Sequence, residues 1–156
     1  ITMLNRVIQT VAHHGNTVIL GRSGFEVLRG FSDVFHVRLQ APLEVRIHRI
    51  METQHLDYEQ AETIVKENDK VRHAFVEEFY KIPWNSIHVF DLVINTAKIS
   101  PDLATEWIVH AVQSQIPLLD AKKPTTAAIP VDRIMAKAVS DLLKCTGEHA
   151  LVKSHG

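Results

Sequence analysis

Thr17-Val18-Ile19-Leu20 narrows the fold more than any other stretch of this 156-residue chain. Successive strand side chains point to opposite faces, so an unbroken, β-branched apolar run bounded by Gly21 suits a strand buried on both faces, as in a parallel sheet. Phe35-His36-Val37-Arg38-Leu39 reads as a second, less pure strand, and Leu92-Val93-Ile94 as a third, closed by Asn95-Thr96. The remaining pattern is helical. Leu4, Val7, Ile8 and Val11 recur at helical spacing before Gly15-Asn16 stops them. Pro42 suits a first helical residue and opens a helix with Leu43, Ile47, Ile50 and Met51 as its buried stripe. Asp57 with Gln60 forms a capping-box pattern at the start of a long helix to about Tyr80. Ser100-Pro101 begins another, with Leu103, Trp107, Ile108, Ala111 and Val112 expected to face inward. Strands alternating with helices give an α/β expectation.

From Ile116 the texture changes, with Pro117, Pro124, Thr125, Thr126 and Pro130 in a stretch without period, expected as a linker over 116–130. A last helix over about Val131–Lys144 gathers Ile134, Met135, Ala138, Val139, Leu142 and Leu143 on one side and needs a partner. The chain opens on Ile1 and ends on Gly156 just after that pattern, so it is expected to be a piece of a longer product.

Composition excludes more than it selects. Lys plus Arg number 17 against 18 Asp plus Glu, so no global charge calls for a nucleic-acid or membrane surface, and any anion site is local. No apolar run reaches membrane-spanning length and no signal peptide is visible. The single cysteine, Cys145, forms no intramolecular disulfide and fits a reducing compartment, which makes the cytoplasm the expectation. The ten histidines include no i, i+4 pair with an acid, so no metal site is expected. Trp84 and Trp107 are expected to anchor the core.

Chemistry is expected at the arginines. On a helical wheel of the long helix, Ala61, Ile64, Val65, Phe75 and Phe79 share one side, and Arg72 falls among them, about 20° from Ala61. A guanidinium on a buried face requires an anion, either a carboxylate or a phosphate. Three readings stay open: phosphate binding, a pair with Asp69 one turn earlier, or emergence of the helix into solvent near Asn68. Arg46 and Arg49, three apart on the preceding helix, suit a shared polyanion or stand as two ordinary surface arginines. Arg22 follows the first strand in Gly21-Arg22-Ser23-Gly24, where ligands approach the carboxyl ends of an open parallel sheet.

Four segments in register carry a resemblance: Val18-Ile19-Leu20-Gly21-Arg22-Ser23-Gly24; Gln40-Ala41-Pro42-Leu43-Glu44-Val45-Arg46-Ile47-His48-Arg49-Ile50-Met51; Asp69-Lys70-Val71-Arg72; and Phe90-Asp91-Leu92-Val93-Ile94-Asn95-Thr96. In order and spacing they resemble the cytidylate-kinase-like family of P-loop nucleoside monophosphate kinases, over about two-thirds of the chain. The resemblance implies a three-layer parallel α/β sheet, incomplete at its N-terminal side, within a domain over 1–115 that carries a helical lid at about 43–80. It implies transfer of a phosphoryl group from ATP, with Mg²⁺, to a CMP-like nucleotide. By the same carry-over, Gly21 and Arg22 meet the acceptor phosphate, Arg46 and Arg49 the triphosphate, and Arg72 the transferring group. Asp69 orients an arginine or the acceptor sugar, and Asn95-Thr96 lies near the adenine. No Gly-x-x-x-x-Gly-Lys-Ser/Thr occurs, so the phosphate cradle is expected upstream of Ile1. A non-catalytic nucleotide-binding or regulatory module with a C-terminal interaction domain is the alternative reading. Residues 131–156 resemble the opening of a small BON-type domain, against a plain C-terminal helix packing back on the core.

Overall fold

The computed structural model describes residues 2–21, 23–115 and 122–145. They fall into two units, one drawn from residues 1–34 and 116–156, the other from 35–115.

In the first unit, α1 (Thr2–His13) ends where Gly15 and Asn16 both take positive φ, a conformation favoured by glycine and tolerated by asparagine. Ile8 and Ala12 on α1 meet Leu28, just past the short α2 (Gly24–Val27), and Ile129 in a common core. Thr17–Leu20 forms no strand: Ile19 packs on that core, while Val18 and Leu20 are 86% and 63% exposed. The run was expected to be buried on both faces, and only Ile19 of it is covered. A central strand requires ladder partners on both sides, and the only ladder among the described residues lies elsewhere. The Asp33 carboxylate accepts from the Thr126 amide at 2.8 Å and from its hydroxyl at 2.7 Å, fastening the 3₁₀ turn Thr126–Ala128. α6 (Arg133–Cys145) begins with Asp132 Oδ1 accepting from the amides of Ile134 and Met135, and its Val139 is buried. It packs along α1. The apolar side read from sequence is only partly covered, because Ile134 and Leu142 are 82% and 67% exposed. The rest of the proposed BON-like segment, residues 146–156, lies outside the described residues.

The second unit holds the sheet. β1 (Val37–Gln40) pairs in parallel with β2 (Leu92–Asn95), Val37 opposite Leu92 and Gln40 opposite Asn95. The crossover between them consists of α3 (Leu43–Gln54) and α4 (Tyr58–Tyr80). Pro42 caps α3 rather than occupying its first turn, a shift of one residue. α4 opens with the expected capping box: Asp57 accepts from the Gln60 amide, and the Gln60 side chain accepts from the Asp57 amide. The two helices join through Ile47, fully buried against Ala61 and Val65. At their start the Tyr58 hydroxyl donates to both Glu44 oxygens, a carboxylate contact that pushes the phenol pKa up.

α5 (Pro101–Gln115) buries Ala104, while Leu103, Trp107 and Val112 are exposed. The inward stripe read there is therefore corrected, and so is Trp107 as a core anchor. A helical period marks which residues share a face but does not supply the surface that covers them.

Candidate functional site at the carboxyl ends of the strands

Gln40 and Asn95 end the two strands side by side, and the chain leaves each into a turn that carries a side chain of the site. The Thr96 amide donates to the Gln40 carbonyl at 2.8 Å and its hydroxyl lies 3.3 Å from the same oxygen, which ties the two strand ends together. Asn95 closes a local turn, its Oδ1 accepting from the Ala97 amide at 3.0 Å. Arg49 reaches this knot from α3. Its Nη2 donates to the Thr96 carbonyl at 2.6 Å and its Nη1 to the Thr96 hydroxyl at 3.0 Å.

Arg46, one turn earlier on α3, is also held by protein groups. Its Nε donates to the Ala41 carbonyl at 3.1 Å, and its Nη1 lies 2.7 and 2.8 Å from the two Asp69 oxygens. The pairing follows from helix geometry. Ala61, Val65 and Asp69 are spaced by four, so they form one ridge of α4, and Asp69 continues toward Arg46 the ridge that Ala61 and Val65 pack against Ile47.

Arg72 differs from both. It is exposed, as are its neighbours from Lys70 through Ala74, so the reading that placed it on a buried face is corrected in favour of emergence into solvent. The reason is length: α3 has 12 residues and α4 has 23, so at 1.5 Å per residue α4 runs roughly 16 Å beyond its partner. Among the described residues Arg72 makes no hydrogen bond or ion pair, and Asp69, its sequence neighbour at i, i+3, is engaged by Arg46 instead. One turn of helix separates Arg72 from the Arg46–Asp69 pair.

Gly21 belongs to the first unit and has φ +69°, where an added Cβ would meet nothing, so glycine is needed there for backbone conformation rather than for room. Arg22 lies outside the described residues. Arg46, Arg49 and Arg72 carry guanidinium N–H groups, the donor chemistry that suits phosphate oxygens. Among the described residues no group of three or more His, Cys, Asp or Glu stands close enough to hold a metal ion, and no helix is long and apolar enough to cross a membrane.

Sequence reasoning missed a second assembly beside this one. Arg38 of β1 places its guanidinium 4.9 Å from the Trp84 ring centroid and 5.6 Å from that of Phe90, and its Nη1 donates to the Trp84 carbonyl at 2.8 Å. Arg38 set between Val37 and Leu39 on a strand was the available signal.

These features define a mixed helix/sheet protein with a small parallel sheet and with Arg46 and Arg49 anchored at its strand ends. A model of the cytidylate kinase-like family matches residues 1–98, and the chain belongs to that family. It is 33% identical over 105 residues to a cytidylate kinase of Ignicoccus hospitalis, covering 67% of this chain and 60% of the relative. It is 36% identical over 88 residues to a cytidylate kinase of Staphylothermus marinus, covering 55% and 48%, and 28% identical over 131 residues to one of Methanopyrus kandleri, covering 78% and 65%. The chain thus spans about 60% of the Ignicoccus hospitalis relative. The solved structure of an uncharacterized protein from Eubacterium ventriosum matches with a TM-score of 0.65 at 23% identity, over 70% of this chain and 63% of that one, a likeness of fold.

Proposed function

We propose that the protein containing this chain transfers a phosphoryl group from ATP to a nucleoside monophosphate of the CMP type, with Arg46, Arg49 and Arg72 on a two-helix lid formed by α3 and α4. The reading is supported by the cytidylate kinases among the relatives and by one observation above all. Arg72 is exposed and unpaired among the described residues, one turn from a pinned Arg46–Asp69 pair at the carboxyl ends of parallel strands. In the reaction, an oxygen of the acceptor phosphate attacks the γ-phosphorus and the bond to the β–γ bridging oxygen breaks, leaving ADP. Little covalent work falls to the protein, so catalysis is positioning and neutralisation of charge on the transferring group. On this reading Arg46, oriented by Asp69, and Arg49 bind the triphosphate, and Arg72 closes on the transferring phosphoryl group and excludes water. Gly21 and Arg22 meet the acceptor phosphate, and Asn95-Thr96 border the adenine. The wider protein completes a three-layer P-loop sheet. When bound, Mg²⁺ neutralises part of the phosphate charge; the residues placed here fit the polyphosphate oxygens rather than the ion.

In the full-length protein, Arg72→Ala is expected to lower turnover with ATP and CMP by about a hundredfold or more, the scale of a lost electrostatic donor. Turnover close to wild type would remove Arg72 from the reaction.

A further inference from the structure

α4 is held at two places with an exposed span between them. Its first half lies on α3 through Ala61 and Val65, and residues 70–74, including Arg72, face solvent. Beyond them Val76 is buried again. The loop after α4 also touches this second half, through Trp84. The His73 ring meets the Trp84 ring edge-on at 5.1 Å between centroids, and the Trp84 amide donates to Glu77 Oε1 at 3.4 Å. Trp84 is itself fixed to the sheet, since Arg38 lies over its ring and donates to its carbonyl. An unbroken chain of contacts therefore runs from β1 through Arg38 and Trp84 to His73, the residue next to Arg72.

We propose that Trp84 is a positioning residue of the cationic site: by seating His73 against a ring anchored on β1, it sets the helical phase at which α4 presents Arg72. Successive helical residues are turned 100° from one another, so fixing the direction of His73 fixes that of Arg72. Within the exposed span, the contact of His73 with Trp84 is a tie to a neighbouring segment that does so. The inference rests on the reading of Arg72 as a polyphosphate ligand.

Inorganic tripolyphosphate, titrated into the 156-residue chain by calorimetry, separates the two. Trp84→Leu is expected to weaken binding about tenfold and Trp84→Phe, which keeps an aromatic ring, to stay within about twofold, while in an Arg72→Ala background Trp84→Leu costs nothing more, because residues acting as one unit are non-additive. His73→Ala, a change on the exposed side of α4, tests the same link without altering the loop and is expected to weaken binding several-fold, again only when Arg72 is present. In a Trp107→Phe chain, Trp84 is the sole tryptophan and its emission should change as tripolyphosphate is added. Equal losses with and without Arg72, or unaltered binding by both Trp84→Leu and His73→Ala, overturn the positioning role and leave the cationic site standing. A wild-type chain that takes up no tripolyphosphate, or an Arg72→Ala chain that binds as wild type, overturns the reading of the site and the inference with it.

Discussion

Arg46 is held by a backbone carbonyl on one side and a carboxylate on the other, and both contacts act across α3: one to the turn it leaves, one to the helix it packs on. Arg46 and Asp69 are each about one-third exposed, so solvent screens the pair only partly. Truncating one member leaves a half-buried charge without its partner. Asp69→Ala should destabilise the chain by about 1 kcal/mol, and a cycle with Arg46→Ala should return a coupling of about 0.5–1 kcal/mol, read by chemical denaturation. Additive single changes would mean that the pair contributes nothing. At this scale the sequence singles out arginines and carboxylates but not the groups they meet. The i, i+3 spacing sets Asp69 beside Arg72, and a separation of 23 positions hides its pairing with Arg46. Thr96 was read as a neighbour of the adenine, and its grip on Arg49 had no local signature.

α3 and α4 behave as one arm because a single side chain sits at their crossing. Ile47 is the largest fully buried side chain of the chain's described part, and it meets Ala61 and Val65, small enough together to let the helices approach. Ile47→Ala removes three carbons where neighbours cannot collapse fully, so a loss of about 3 kcal/mol is expected, against a few tenths for a change at exposed Val71. Thermal or denaturant unfolding of the two variants checks the contrast; comparable losses would place the weight of packing elsewhere. Both helices were legible nearly to the residue, since the Asp57–Gln60 box and the stripe of Leu43, Ile47, Ile50 and Met51 are local signals. The wheel misplaced Arg72 because a helical period persists whether or not a partner lies opposite. α3 and α4 each end without glycine: His55 after α3 and Lys81 after α4 take positive φ.

Over the whole molecule, the α/β alternation was readable and the sheet was not, because a strand exists through ladder partners that its own residues do not specify. Two of three expected strands pair, and Thr17–Leu20 forms no strand, with Ile19 packed on a core. Phosphoryl transfer depends on holding donor and acceptor in line, and such positioning supplies roughly 7–11 kcal/mol of barrier lowering in well-oriented reactions. Arginines neutralise charge, but the glycine-rich loop that cradles the β- and γ-phosphates does not occur in these 156 residues. The chain by itself should therefore bind ATP weakly, through cations at the strand ends, with an affinity that falls as salt rises because the contacts are exposed. With Mg·ATP and CMP it should form no CDP above the uncatalysed background. A coupled assay run at protein concentrations high enough to saturate binding checks this, and phosphotransfer that scales with the amount of chain would show that the cationic strand ends alone provide the positioning the cradle was thought to supply.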